Sequence, residues 1–252
     1  MASFTMRFFS NQLHQQTTVN VIMPEDFSSP VKTLWLLHGL SDDQNTWGDQ
    51  TAIGRYASRY GIAVIMPCGD RSWYTDTAYG KNYFSFLTQE LVAVCRSHFP
   101  HLSHKREDNM IAGNSMGGYG ALKAAFTLPE QYGFCGSLSG SVDITRKNLS
   151  YNLEEWRSIF GFSLTSANQL EGSIHDLFAL ATKAKEEKKH LPALYLWCGT
   201  EDGLLPHNQQ FSHHLTNLGI DHSFHLSRGH HTWECWDIQI QHLLDFWLQN
   251  GV

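Results

Sequence analysis

The sequence has no long apolar run, no paired-cysteine motif and no excess of positive charge. No stretch approaches the roughly 20 apolar residues of a membrane-spanning helix, and the first ten residues lack the apolar segment of a signal peptide. Lysine and arginine together number 18 against 24 acidic residues, which gives a formal charge of −6. This balance argues against nucleic acid or an anionic membrane surface as a partner.

The cysteines are odd in number and widely spread, and no C-x-x-C occurs. Reduced thiols in a cytoplasmic protein explain this pattern better than a disulfide framework does. The 15 histidines show neither H-E-x-x-H nor a zinc-finger spacing, so we expect no metal and no cofactor. The five cysteines are Cys68, Cys95, Cys135, Cys198 and Cys235.

The 252 residues are 42% hydrophobic and 17% charged, which suits one α/β domain over residues 1–252. Apolar strand-like runs alternate with helical patterns, which predicts a mostly parallel sheet with helices on both faces. The predicted strands are 4–9, 17–23, 33–37, 62–66, 110–113, 134–138, 193–198 and 221–226. The predicted helices include 50–60, 83–99, 153–160, 207–218 and 233–248, with one more running from the serine motif described next to about residue 128. Residues 141–190 interrupt the alternation, and we interpret them as an insertion that forms a small cap over the active site.

A serine motif lies at the centre of the chain. Gly113-Asn114-Ser115-Met116-Gly117 follows a short apolar strand and opens a helix. In the G-x-S-x-G motif the serine occupies a sharp turn that projects its hydroxyl from the sheet edge, while the glycines let strand and helix backbones approach. Ser115 is therefore the candidate nucleophile.

A serine hydroxyl needs a base within hydrogen-bond reach and an acid that orients the base. In the hydrolase fold these follow the serine in the order acid, then histidine. Asp202 comes just after the strand at 193–198, and His231 comes after the strand at 221–226. Their neighbours Glu201 and His230 are the nearest competitors.

Two backbone amides are expected to bind the oxyanion formed during acyl transfer. One is the N–H of Met116, the residue after the nucleophile, and the other is the N–H of Leu40, after the strand at 33–37. We interpret His38 as a residue that braces this loop. Three aromatic residues, Trp47, Trp73 and Tyr74, either line a substrate pocket or pack the loops onto the sheet.

Four linked motifs resemble the esterase D family and, within it, the bacterial tributyrin esterases. They are Leu37-His38-Gly39-Leu40, Ser72-Trp73-Tyr74-Thr75-Asp76, Gly113-x-Ser115-Met116-Gly117-Gly118-Tyr119-Gly120 and Gly229-x-His231-x-Trp233. The resemblance covers nearly the whole chain. It implies an α/β-hydrolase fold, a Ser115–Asp202–His231 triad, oxyanion donors at Leu40 and Met116, and frequent assembly into homo-oligomers.

The function predicted from the sequence is a serine carboxylesterase that hydrolyses small, short-chain acyl esters through an acyl-enzyme on Ser115. Thr232 stands where the esterase branch is expected to carry an acidic residue, which leaves the substrate open. The alternatives are a thioesterase like S-formylglutathione hydrolase, a feruloyl or acetyl-sugar esterase, an acyltransferase, and a non-catalytic binding protein of hydrolase fold.

Overall fold

The computed structural model of the protein describes residues 1–25, 30–150 and 152–250. Its strands are β1 Ala2–Ser10, β2 Gln15–Met23, β3 Thr33–Leu37, β4 Ala63–Pro67, β5 Asn109–Asn114, β6 Phe134–Leu138, β7 Ala193–Gly199 and β8 His222–Ser227. These eight described strands form one sheet in the order β1-β2-β4-β3-β5-β6-β7-β8. Only the β1–β2 and β2–β4 pairs are antiparallel. The mostly parallel sheet and all the predicted strands are confirmed, with ends shifted by one or two residues.

The α-helices over the same ranges are α1 Thr46–Gln50, α2 Ile53–Tyr60, α3 Tyr83–Ser85, α4 Leu91–His98, α5 Met116–Thr127, α6 Leu153–Phe160, α7 Leu177–Glu186, α8 Leu205–Asn217 and α9 Trp233–Asn250. Short 3₁₀ turns occupy Arg106–Asp108, Pro129–Gln131 and Ala167–Leu170. The described helices therefore include every predicted one. Two of the predicted helices, 50–60 and 83–99, differ from the structure in where they begin or are interrupted.

The helix predicted over 50–60 begins only at Ile53. Thr51 is extended, with φ −135° and ψ 169°, and the Ala52 N–H donates to Asp237 of α9 at 2.7 Å. The helix predicted over 83–99 contains a π-helical turn, Phe86–Glu90. That turn ends at Glu90, whose carboxylate accepts hydrogen bonds from the turn between β1 and β2. Both differences come from contacts between segments distant in the chain, which local periodicity does not reveal.

Helices cover both faces of the sheet because successive side chains of a strand point to opposite faces. On β3, Trp35 and Leu37 belong to the core layer that contains α5. Leu34 and Leu36 belong to the second layer, which contains residues of α2 and α9. All five residues of β3 are buried, as expected of a central parallel strand.

Helix α5 approaches β3 with no side chain between the two backbones. A Cβ atom on Gly117 would lie 2.4 Å from the carbonyl oxygen of Leu37, and one on Gly113 would lie 2.6 Å from the carbonyl carbon of Gly117. Real side chains do not tolerate such distances, so only glycine fits at these two positions. The start of α5, and with it Ser115, is thereby held against the end of β3.

Residues 141–190 contain α6, a 3₁₀ turn and α7, and α7 packs against α5 and α8. The aromatic-faced helix predicted at 153–160 is confirmed as α6. The position of residues 141–190 as a cap over the active site remains a prediction. Across the described ranges, none of the helices combines the length and apolar character needed to cross a bilayer.

Gly117→Ala is expected to lower the free energy of unfolding by about 1–3 kcal/mol, because the new methyl group would overlap backbone atoms that cannot move aside. The matched control is Gly48→Ala, since a Cβ there meets nothing within 4 Å and removing a helical glycine stabilises by roughly 0.5–1 kcal/mol. Chemical denaturation of both variants measures the difference. Equal stabilities would contradict the close backbone contact.

Candidate active site

The structure brings the three residues predicted from the motifs into one hydrogen-bonded line. Ser115 follows β5, Asp202 follows β7 and His231 follows β8, all at the carboxyl edge of the sheet. The Ser115 hydroxyl lies 3.0 Å from His231 Nε2. His231 Nδ1 lies 2.9 Å from Asp202 Oδ2. Both distances are those of good hydrogen bonds, so hydroxyl, imidazole and carboxylate are arranged for proton transfer.

Ser115 occupies a backbone conformation that L-residues rarely adopt, with φ +52° and ψ −115°. Two backbone hydrogen bonds hold it there. The Ser115 N–H donates to the carbonyl of Leu138 at 3.0 Å, and the N–H of Ser141 donates to the carbonyl of Ser115 at 3.0 Å. Such strain persists only where the surroundings over-determine it, and here it directs the side chain toward His231.

Asp202 is buried, with only 1% of its side chain exposed. Burial alone would raise the pKa of this carboxyl, but hydrogen bonds from His231 and from the Leu204 N–H outweigh that effect and hold its pKa below the usual value. The ionised carboxylate can only accept hydrogen bonds, so His231 Nδ1 carries the hydrogen. Nε2 is therefore left to accept the Ser115 proton.

A second close backbone contact joins the loops that carry the acid and the imidazole. A Cβ on Gly199, at the end of β7, would lie 2.2 Å from the carbonyl oxygen of Gly229. That same carbonyl accepts a hydrogen bond from the Glu201 N–H at 2.9 Å. The absence of a side chain at position 199 lets the two loops touch, which brings Asp202 within reach of His231.

The two competing residues face away from this line and pair with each other. His230 Nε2 lies 2.9 Å from Glu201 Oε2, and the His230 side chain is 65% exposed. The imidazole within hydrogen-bond distance of the Ser115 hydroxyl is that of His231. The geometry therefore favours His231 as the base and Asp202 as the acid.

Of the two residues predicted to donate amides to an oxyanion, Met116 follows Ser115 in the chain, and Leu40 follows Gly39, which lies close to Ser115. Met116 is the first residue of α5, where backbone N–H groups lack an acceptor within the helix. Leu40 follows Gly39, and a Cβ on Gly39 would lie 3.6 Å from the Cβ of Ser115. The loop after β3 thus borders the nucleophile, as the predicted role of Leu40 requires.

Three successive carbonyls of that loop are each bonded to a buried side chain. Trp47 Nε1 donates to the Leu37 oxygen at 3.0 Å, the Tyr74 hydroxyl donates to the His38 oxygen at 3.0 Å, and His38 Nδ1 lies 2.8 Å from the Gly39 oxygen. His38 Nε2 accepts from the Gly69 N–H at 2.8 Å, and burial lowers the pKa of His38, so its imidazole is neutral. This pattern agrees with the bracing role interpreted for His38.

Trp47 and Tyr74 are each only 1% exposed. Their burial and their bonds to backbone carbonyls support the packing alternative rather than the pocket-lining one, because a pocket wall must be reachable by substrate. Trp73 is 4% exposed and its ring lies 5.7 Å from that of Tyr119 and 5.5 Å from that of Trp156. It therefore packs between α5 and α6.

Arg71 is a residue of the site that sequence reasoning did not single out. Its Nη1 donates to the Ser41 hydroxyl at 2.7 Å, and its Nη2 donates to Glu155 of α6 at 3.1 Å. Ser41, directly after Leu40, has φ +74°. Arg71 therefore links the loop after β3 to α6. Its partners are 30 and 84 residues away, so no local pattern could indicate the contact.

Within residues 1–25, 30–150 and 152–250, no three His, Cys, Asp or Glu side chains gather as a metal site would require. His222 and His225, both on β8, contact different neighbours. His222 Nε2 lies 2.8 Å from the Ser212 hydroxyl, while the ring of His225 stacks on Tyr195 at 4.4 Å.

Comparison with known proteins agrees with this geometry. The family model described as "Putative esterase" matches residues 10–246. The chain belongs to this esterase family. Among its relatives, the acetyl esterase of Caldicellulosiruptor saccharolyticus is 32% identical over an alignment of 265 positions, gaps included, which covers 98% of each chain.

Two solved structures from Staphylococcus aureus are similar to this esterase over 98% of both chains. One is substrate-bound FphF, a fluorophosphonate-binding serine hydrolase, with a TM-score of 0.91 and 34% identity. The other is the S-formylglutathione hydrolase FrmB, with a TM-score of 0.89 and 34% identity. The chain is thus a hydrolase with the fold of serine hydrolases.

His231→Ala is expected to lower kcat/KM for an ester substrate by about 10⁴-fold or more, because among the described residues His231 is the base hydrogen-bonded to the Ser115 hydroxyl. His230→Ala is the matched control and should remain close to the wild type, since its imidazole bonds Glu201 instead. Steady-state kinetics on 4-nitrophenyl acetate measure both. A large loss in His230→Ala with little in His231→Ala would reverse the assignment.

Proposed function

We propose that this esterase is a serine carboxylesterase that hydrolyses short-chain acyl esters through an acyl-enzyme on Ser115. The observation that carries the proposal is the unbroken line from Asp202 through His231 to the Ser115 hydroxyl. A buried ionised carboxylate, an oriented imidazole and a strained serine are what nucleophilic acyl transfer requires. A non-catalytic binding protein would have no use for this arrangement.

In the first half of the proposed reaction, His231 Nε2 takes the Ser115 proton while Oγ attacks the ester carbonyl carbon. The resulting oxyanion accepts hydrogen bonds from the Leu40 and Met116 N–H groups. Asp202 stabilises the imidazolium without itself taking the proton. The intermediate collapses when His231 protonates the leaving alcohol, and the acyl group stays on Ser115.

In the second half, water enters where the alcohol has left. His231 removes a proton from the water as it attacks the acyl carbon, and the same two amides bind the second oxyanion. Collapse releases the acid and returns the proton from His231 to Ser115. One base therefore serves both halves, and the scheme uses no cofactor.

The short-chain preference is supported by the acetyl esterase relative, which is 32% identical over 98% of the chain. We propose that the chain belongs to the tributyrin esterase branch of the esterase D family, on the motifs described above. The second candidate is a thioesterase of S-formylglutathione, favoured by the 34% identity to the S-formylglutathione hydrolase FrmB. A substrate panel also tests two further alternatives, which are hydrolysis of feruloyl or acetyl-sugar esters and acyl transfer to an alcohol.

The proposal includes a cytoplasmic location and assembly into homo-oligomers. All five cysteines are free, which is compatible with a reducing compartment. Homo-oligomers are implied by the family resemblance, and gel filtration with light scattering would measure the assembly state.

Ser115→Ala is expected to remove nearly all ester turnover and all labelling by a fluorophosphonate, because both need the Ser115 oxygen. Ser97→Ala, which alters an exposed hydroxyl bonded to the Val94 carbonyl, is the control and should react like the wild type. Circular dichroism checks that both variants are folded. Full turnover in folded Ser115→Ala would refute the nucleophile.

A panel of 4-nitrophenyl acetate, 4-nitrophenyl butyrate, methyl ferulate and S-formylglutathione separates the substrate classes. We expect the highest kcat/KM for the acetate and butyrate esters. A higher value for S-formylglutathione would establish the thioesterase instead. Product analysis with added alcohols identifies acyl transfer, because a transferase forms a new ester in place of the free acid.

A further inference from the structure

A cavity of about 180 Å³ is lined by residues of α3, α5 and α7 and of the loops that precede α3 and α7. Lys123 is at its inner end, eight residues beyond the nucleophile, which is about 12 Å further along the helix axis. The cavity reaches the surface beside Ile174, which is 68% exposed. Its lining residues are Thr75, Asp76, Phe84, Lys123, Phe126, Thr127, Ile174, His175, Leu180, Lys183 and Lys189. This cavity shares no residue with the catalytic line.

Lys123 is an unusual residue to find in a protein core. It is only 3% exposed, and lysine is seldom buried without a carboxylate partner. Its Nζ atom is hydrogen-bonded to the Thr75 hydroxyl and lies 3.4 Å from His175 Nδ1. Neither of these two polar neighbours is a carboxylate. The esterase mechanism makes no use of this amine.

The charges around the cavity favour an anion. Lys183 and Lys189 line it together with Lys123. The Asp76 carboxylate is engaged by the N–H and the hydroxyl of Ser85. Glu187 lies outside the lining, 3.8 Å from Lys183 and 3.2 Å from Lys189. Lys183 and Lys189 are thus already ion-paired with Glu187, and among the described residues no such ion pair is seen for Lys123.

The remaining walls are apolar, formed by Phe84, Phe126, Ile174 and Leu180. A purely ionic ligand such as phosphate would leave this surface unused, whereas a ligand with one anionic group and a short hydrocarbon chain satisfies both parts. We propose that the cavity is a binding site for a short-chain monocarboxylate such as butyrate, with its carboxylate against Lys123 and its chain against Phe84, Phe126 and Leu180.

Binding should depend on pH because Lys123 must be charged to pair with the ligand. Burial lowers the pKa of Lys123 to about 7, with Asp76 acting weakly in the opposite direction. The groups that face it are Asp76, His175, Tyr119, Lys183 and Lys189. Burial and the charge of Lys123 lower the pKa of His175 to about 3, and burial raises that of Tyr119 far above neutrality, so neither titrates near pH 7.

A bound carboxylate would raise the pKa of Lys123. The affinity for the carboxylate is therefore highest below pH 7. It falls as the pH rises through 7, where Lys123 of the ligand-free protein loses its proton. Between pH 6 and pH 8 the protonated fraction of the free form falls by about tenfold, and we expect the same loss of affinity for butyrate.

The test is calorimetric titration of the full chain with sodium butyrate at pH 6 and pH 8. Wild type should bind in the millimolar range that so small a ligand reaches. Lys123→Met should abolish binding while leaving ester turnover unchanged. Lys105→Met, which removes an exposed lysine far from the cavity, should bind like the wild type. Ile174→Trp narrows the mouth at an exposed position and should also abolish binding, which keeps the test valid if Lys123→Met misfolds.

A product acid could also enter the catalytic site, so the titration is repeated after fluorophosphonate labelling of Ser115. Binding that survives the label and is lost in Lys123→Met supports the second site. Binding that disappears with the label, that is equal in Lys123→Met, or that is absent from wild type overturns it. The test does not rest on the proposed function, because it reads binding and would stand if the enzyme proved to be a thioesterase.

Discussion

The contact between the backbones of α5 and β3 is the constraint on which the site depends. At Gly113 and Gly117 no side chain separates helix from strand, so the chain must turn sharply between them and Ser115 takes a positive φ. Glycine at these positions removes packing area in the centre of the core, where area normally stabilises the fold. The result is a Ser115 hydroxyl held at the sheet edge with little conformational freedom.

The backbone conformation of the loop after β3 is restricted in a similar way. Because the carbonyls of Leu37, His38 and Gly39 are each held by a buried side chain, the peptide planes of the loop cannot rotate freely. A preorganised amide needs no reorientation when charge develops on a substrate. Arg71 extends this support outward, because its guanidinium bonds both Ser41 in the loop and Glu155 of α6.

Local patterns in the sequence predict the sheet correctly, and they are the basis of the site proposed at Ser115, Asp202 and His231. The buried strands β5 and β7, which precede Ser115 and Asp202, contain apolar runs. β8, which precedes His231, is partly exposed and carries several polar residues. Other features depend on contacts between distant segments. The π turn at Phe86–Glu90 ends on a carboxylate bonded to the β1–β2 turn, and Arg71 finds Glu155 far along the chain. Trp47 and Tyr74 could equally have faced substrate, because an aromatic residue in a loop does not reveal whether it points inward.

The position of β8 has a consequence for how the enzyme fails on warming. β8 is the outermost strand on its side of the sheet. His231 lies in the loop after β8, which is held by the Gly199–Gly229 contact and by the packing of the His231 ring against Trp236 of α9. Edge elements open locally at lower free energies than central strands do. Local unfolding of β8 would separate the His231 imidazole from Ser115 while the core stays folded. Activity is therefore expected to be lost at a lower temperature than the one at which the whole protein unfolds.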